Sequence, residues 1–212
     1  MTLSHSLGRL YQWALVLALI TIGYNLLEGL VATYFGFHDE TLALFGFGAD
    51  SFIEVISGIG IAHMVLRMRK NPTEKRDQFE IQALKITGVA FYVLCASLSA
   101  TVVLNIYLGK QPETTFWGIV VALLSIVSMY ALIKAKLHVG KALDSAAILA
   151  DARCTRACLM MSWLLLIASL IYMYTGLPYI DAIGTMGIVY FCFKEGQECF
   201  DVAAEKKTSC CG

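Results

Sequence analysis

Six long runs of mostly apolar residues, each parted from the next by a short polar cluster, leave this chain few ways to fold. A bilayer core ~30 Å thick needs about 20 such residues per helix. Residues 10–34, 41–68, 84–108, 115–133, 143–174 and 179–199 meet that requirement. The fifth run is the least apolar at its start, where Asp144, Asp151, Arg153 and Arg156 fall, but 159–172 is apolar enough to hold it in lipid. The expectation is an all-α membrane protein with six transmembrane helices in one domain, 1–200, followed by a short cytoplasmic tail, 201–212, that is too short to fold alone.

Composition agrees with that reading. Of 212 residues 58% are hydrophobic and only 15% charged, less charge than a soluble domain of this size carries. The 16 basic and 16 acidic residues balance, so nothing points to nucleic acid as a partner. The sequence holds no glycine-rich phosphate loop and no G-x-S-x-G elbow. The first run is too long for a signal peptide and is interrupted by Asn25, Glu28 and Gly29. Asn71-Pro72 and Gln111-Pro112-Glu113 mark turns between spans.

Lys and Arg concentrate on cytoplasmic loops. The 2–3 connection holds Arg67, Arg69, Lys70, Lys75, Arg76 and Lys85; the 4–5 connection is assigned Lys134, Lys136 and Lys141; the tail has Lys194, Lys206 and Lys207. The 1–2 and 5–6 connections have none, and the 3–4 connection has only Lys110. Both termini are therefore expected in the cytoplasm, in a multi-pass protein of the plasma (inner) membrane.

Within this apolar chain two pairs stand out. Asp50 and Glu54 are four residues apart on the second span, and Cys154 and Cys158 four apart on the fifth, so each pair projects from one helix face. Carboxylates inside a membrane span are costly and mark ion paths or binding sites. With 1.5 Å of rise per residue, Asp50 and Glu54 lie ~12 and ~18 Å below the outer surface, while Cys154 and Cys158 lie ~15 and ~21 Å above the inner one. The two pairs meet near the midplane if the second and fifth helices are neighbours.

Two thiolates and two carboxylates suit tetrahedral coordination of a borderline or soft ion such as Zn(II) or Cd(II). Mg(II) and Ca(II) prefer oxygen throughout. Four such groups cannot all be ionised together in a low dielectric without a cation. The ion-free site should hold protons and metal should displace them, a physical basis for metal/proton exchange. Asp151, three residues before Cys154, is a secondary candidate ligand. Arg156 lies on the opposite side of the helix, with Glu28 or Asp151 as candidate packing partners, and Asn25 and Glu28 share a face of the first span from which they can support the site. Lone cysteines such as Cys95 and Cys192 are read as packing.

The chain resembles the transmembrane domain of the cation diffusion facilitator (cation efflux) family. The residues 42–54 resemble that family's small-residue approach to an Asp-Ser-x-x-Asp motif, and Ala150-Asp151-Ala152-Arg153-Cys154-Thr155-Arg156-Ala157-Cys158 is similar to its Ala-Asp-x-x-His-x-x-x-Asp frame. Leu177-Pro178-Tyr179-Ile180-Asp181 and Asn25-Leu26-Leu27-Glu28 resemble its sixth and first spans more weakly. The resemblance implies a six-span bundle and a homodimer. Cysteines replace His and Asp on the fifth span, and Glu replaces an Asp on the second, so the site is softer than the family pattern. The family's cytoplasmic metal-binding domain is not matched; Cys210-Cys211 ends the sequence, with Cys199 before it, expected as free thiols able to capture a thiophilic metal.

The expected function is a secondary transporter, not an enzyme, that moves a thiophilic or borderline divalent metal ion out of the cytoplasm in exchange for protons, with Asp50, Glu54, Cys154 and Cys158 as ligands, and Asp151, Cys210 and Cys211 as secondary candidates. No resident cofactor is expected. Two other readings stand beside it: a membrane thiol oxidoreductase, against which the Cys-x-x-x-Cys spacing argues, and a metal-responsive membrane adaptor that transports nothing.

Overall fold

A computed structural model describes residues 2–39, 41–70, 76–109, 116–177 and 179–209. The described residues form six helices: α1 (Thr2–His38), α2 (Leu42–Lys70), α3 (Arg76–Leu108), α4 (Phe116–Ala142), α5 (Ala146–Thr175) and α6 (Tyr179–Ser209). Among those residues there is no strand. The first five are long and apolar enough to cross a membrane. The sixth is as long but more polar, carrying Asp181, Lys194, Glu195, Glu198 and Asp201. The turns expected at Asn71-Pro72 and Gln111-Pro112-Glu113, and the Cys210-Cys211 tail, lie outside the described residues.

Several helices run past their apolar segments. α1 and α3 each start eight residues before the sequence runs at 10 and 84, and α6 continues to Ser209. Hydropathy marks where a helix meets lipid, not where its hydrogen bonds stop. The fifth helix starts later than its expected span. Ser145 caps it by accepting from Ile148 N at 3.4 Å, after a turn in which Asp144 takes φ 47°. Gly176, at φ 62°, ends the helix and donates its N–H to Tyr172 O at 2.8 Å, the left-handed closure that glycine adopts without a Cβ penalty.

The three closest helix pairs pack antiparallel. α1 lies along α2, α4 along α5 and α3 along α6, while α2 also touches α3, α5 and α6 and so sits at the centre. The approach of α1 to α2 depends on glycine. A Cβ on Gly48 would stand 2.6 Å from Thr33 N, and one on Gly36 would run into the backbone of Phe45. Leu27, Val93, Val103, Leu124, Val127 and Ile167 are exposed on the outer faces, where lipid is their solvent. Because the helices are apolar nearly all round, the inward faces are distinguished by small and polar residues rather than by hydrophobicity.

Asp181 on α6 shows how this interior is tied. Its carboxylate accepts from Leu42 N at 2.8 Å and from Ala43 N at 3.0 Å, so it caps α2 across the bundle. Two otherwise orphaned amides and a helix N-terminus are satisfied by one anion. Asp181→Ala is expected to lower stability by roughly 1–2 kcal/mol, read as a fall in the thermal midpoint in detergent, with Asp181→Asn retaining part of the loss. An unchanged midpoint for Asp181→Ala would contradict the assigned role.

Candidate functional site

The expected adjacency of the second and fifth helices is present. α2 and α5 are in contact and antiparallel, with Ser57 Oγ 3.0 Å from Asp151 Oδ1. Higher along the same interface, the Cys158 thiol is in hydrogen-bonding contact with the Asp50 carboxylate and feels the charge of Glu54. All three are buried: Asp50 is 1%, Glu54 3% and Cys158 0% exposed. Asp50 and Glu54, one helical turn apart on α2, face inward together.

Polar groups on α1, α4 and α5 surround these carboxylates, and one of them bonds to Glu54 directly. Asn25 on α1 donates through Nδ2 to Glu54 Oε2 at 2.7 Å. Glu28, one turn further, accepts from Tyr24 OH at 2.9 Å and from Ser51 Oγ at 3.1 Å. Ser162 Oγ on α5 lies 3.0 Å from Ser125 Oγ on α4. The support expected from the Asn25/Glu28 face is thus a pair of direct bonds to α2. In this cluster Asp50 Oδ2 and Glu54 Oε1, together with Asn25 Oδ1, are buried and have no hydrogen-bond partner. An unpaired buried carboxylate oxygen costs several kcal/mol in so apolar a setting, and a bound cation is one way to relieve it.

Cys154 is placed differently from the expected ligand set. It is buried at 6% exposure, and its thiol is within hydrogen-bonding reach of Cys199 on α6, with Glu195 beside it. Cys199, expected at the end of the sixth span as a free thiol beside the tail cysteines, is an interior residue of α6 at 4% exposure. α6 is long enough to carry it back into the bundle alongside α3. Cys154, Cys199, Glu195 and Glu198 line a small cleft of ≈ 10 Å³, about one water molecule, beside an Arg153 Nε–Glu198 Oε1 ion pair at 2.6 Å.

The α6 residues Cys192 and Glu195 were missed as site residues by sequence reasoning. Cys192, Glu195 and Cys199 recur at helical spacing, which puts them on one face. That pattern was available, but any one residue of it reads as packing.

Asp151 is also engaged. Its Oδ2 is 2.8 Å from Lys136 Nζ, and Lys136 also donates to Thr155 Oγ1 at 2.8 Å. Lys136 is 1% exposed, although its sequence neighbours mark a connection. α4 runs on to Ala142, so Lys136 sits inside the bundle and is not a loop charge. Arg156 projects from the exposed side of α5, and the two partners considered for it are taken: Glu28 by Tyr24 and Ser51, Asp151 by Lys136 and Ser57.

Among the described residues no group of three or more His, Cys, Asp or Glu side chains is placed to hold a metal ion. Cys158 meets Asp50, with Glu54 one turn along α2; Cys154 is turned toward α6; Cys210 and Cys211 lie outside the described residues. The profile of the cation efflux transmembrane domain matches residues 14–202, which reach into all six helices. The chain belongs to the cation efflux family.

This cation efflux protein is also 27% identical over 170 residues to an uncharacterized transporter of Methanocaldococcus jannaschii, a match that covers 78% of this chain and 59% of that protein. It thus spans less than two thirds of that relative's length. Family membership and five helices fit to cross a bilayer make it a multi-pass integral membrane protein.

Proposed function

We propose that this cation efflux protein is a secondary transporter carrying a thiophilic or borderline divalent metal ion, of the Zn(II)/Cd(II) kind, out of the cytoplasm in exchange for protons. One observation carries the reading: Asp50 Oδ2 and Glu54 Oε1, buried in the centre of the bundle, lack partners beside the Cys158 thiol. Oxygen and sulfur donors on separate helices match a borderline ion better than Mg(II) or Ca(II). An enzymatic dithiol reading leaves the two carboxylates without a role, and an adaptor reading gives no reason to bury them at mid-bundle.

In this proposal Asp50, Glu54 and Cys158 are the inner ligands. Cys154 is the fourth, reached when its thiol leaves Cys199, so loading is linked to movement of α5 against α6. A donor set that is gathered but not closed suits a carrier, which has to release the ion as well as bind it. α2 pairs with α1, and α5 with α4, and rocking of these packed units around the central site would alternate its access. With both termini in the cytoplasm, the Cys154/Cys199 cleft lies on the inner side of the site.

Proton exchange follows from the charge count. Metal displaces the protons that the ion-free donors hold. Purified protein in vesicles is expected to move Cd(II) or Zn(II) faster when a proton gradient runs opposite to the metal, and to release protons when metal is added in detergent. Metal flux that a reversed proton gradient leaves unchanged would remove the exchange from the proposal. No metal flux at all in intact vesicles would remove transport.

A further inference from the structure

Beside the carboxylates lies a sulfur cluster that the transport reading does not use. Cys192 on α6 stands 3.9 Å through Sγ from Met161 Sδ on α5. Its thiol also neighbours Cys95 on α3, whose Sγ donates to Val189 O, three residues before Cys192 on α6, at 3.4 Å. The three sulfurs come from three helices, and Cys192, Met161 and Cys95 are 0%, 1% and 8% exposed. Cys192 Sγ is also 3.9 Å from Asp50 Oδ1, in a carboxylate whose other oxygen has no partner.

We infer that Cys95, Cys192 and Met161 form a second metal site, one for a soft monovalent cation such as Cu(I) or Ag(I), adjoining the carboxylate site at Asp50. Donor chemistry selects the ion. A thioether binds soft cations and adds little for Zn(II), Mn(II) or a hard ion. Spacing agrees: two sulfurs bound at ~2.3 Å with angles of 110–120° stand roughly 3.8–4.0 Å apart, as Cys192 and Met161 already do. Charge agrees when one of the two cysteines ligates as thiolate and the other keeps its proton, because one thiolate and a monovalent cation leave no net charge in the apolar interior beside Asp50.

Packing alone explains a buried Met or a buried Cys. It gives no reason for a thioether and two thiols from α3, α5 and α6 to gather next to a carboxylate oxygen that lacks a partner. Cys154 and Cys199 lie a turn or two away on the same α5/α6 interface, so the soft donors continue from the inner cleft toward the centre.

The test is anaerobic Cu(I) titration, and separately Ag(I) titration, of the purified full chain against a competing chelator. Cys210→Ser and Cys211→Ser are included throughout so that tail thiols do not contribute. The expected result is a high-affinity equivalent with sulfur-only ligation by X-ray absorption. Met161→Leu, which nearly conserves volume, should weaken that equivalent at least tenfold, and Cys192→Ala should remove it. Cd(II) binding in Met161→Leu should stay within about twofold, since the inner ligands there are Asp50, Glu54 and Cys158.

Met161→Leu with wild-type Cu(I) and Ag(I) affinity, or no high-affinity equivalent in the parent protein, would overturn the second site. The thermal midpoint of each variant without metal separates loss of binding from loss of fold, and Cys95→Ala supplies an independent weakening. The transport reading fails on different results: Cd(II) binding that Asp50→Asn and Glu54→Gln leave untouched, whatever Cu(I) does.

Discussion

Asp50→Asn should reduce metal flux in vesicles by about 100-fold while leaving a folded six-helix protein. The expectation rests on what the substitution removes and what it spares. Asn is nearly the same size, so packing against Cys192 and Cys158 is kept. The negative charge is lost, and with it one carboxylate–cation contact of roughly 2–3 kcal/mol, close to two orders of magnitude in binding. Glu54→Gln should act as strongly, because Glu54 Oε1 is the second buried oxygen without a partner, while the amide keeps an acceptor for Asn25. The double variant should be little worse than either single one, since residues of one site act as a unit.

Cys158→Ser is expected to separate metals rather than silence the protein. It exchanges a soft donor for a hard one beside the same two carboxylates, so Cd(II) flux should fall more than Zn(II) flux. Initial rates of both ions, measured on one preparation, check this. Full wild-type flux of both ions in Asp50→Asn and Glu54→Gln would place the translocation site elsewhere in the bundle.

How much of this was legible in the sequence differs from residue to residue. The helices were, because a lipid span demands length and apolarity at once and both are visible in a run of letters. The α2/α5 register was, because rise per residue sets depth and Asp50 and Cys158 had to reach the same level. The direction in which Cys154 points was not. It depends on which residue of α6 stands opposite, and α6 pairs with α3 and α5 across long sequence separations that periodicity does not encode. Asp181 is another such case: nothing near it in the sequence names the Leu42 and Ala43 amides of α2 that it caps.

Lys136 was misread for a physical reason that also makes it the most consequential residue outside the central site. A lysine close to a span end is ordinarily a loop charge and counts toward orientation. Here it is buried and paired with Asp151 at 2.8 Å, with Thr155 and Ser57 completing the cluster. Thr155 Oγ1 in turn lies 3.1 Å from Asp151 O, which fixes the hydroxyl that Lys136 uses. The pair joins α4 to α5 and, through Ser57, to α2, one turn of α2 from Glu54.

Lys136→Met should therefore be severely destabilising, by ~3–5 kcal/mol, because it leaves the Asp151 carboxylate buried without its counter-ion. Asp151→Leu should cost about as much by stranding the ammonium. The double variant Lys136→Met/Asp151→Leu should recover most of the loss, since an apolar pair of similar volume carries no desolvation cost. Thermal midpoints of the three proteins in one detergent check the prediction, and additive losses in the double variant would contradict it. Flux then decides whether the pair only holds the bundle together. If the refolded double variant binds metal but moves it slowly, the ion pair also sets how α5 moves against α4; wild-type flux would confine its role to stability.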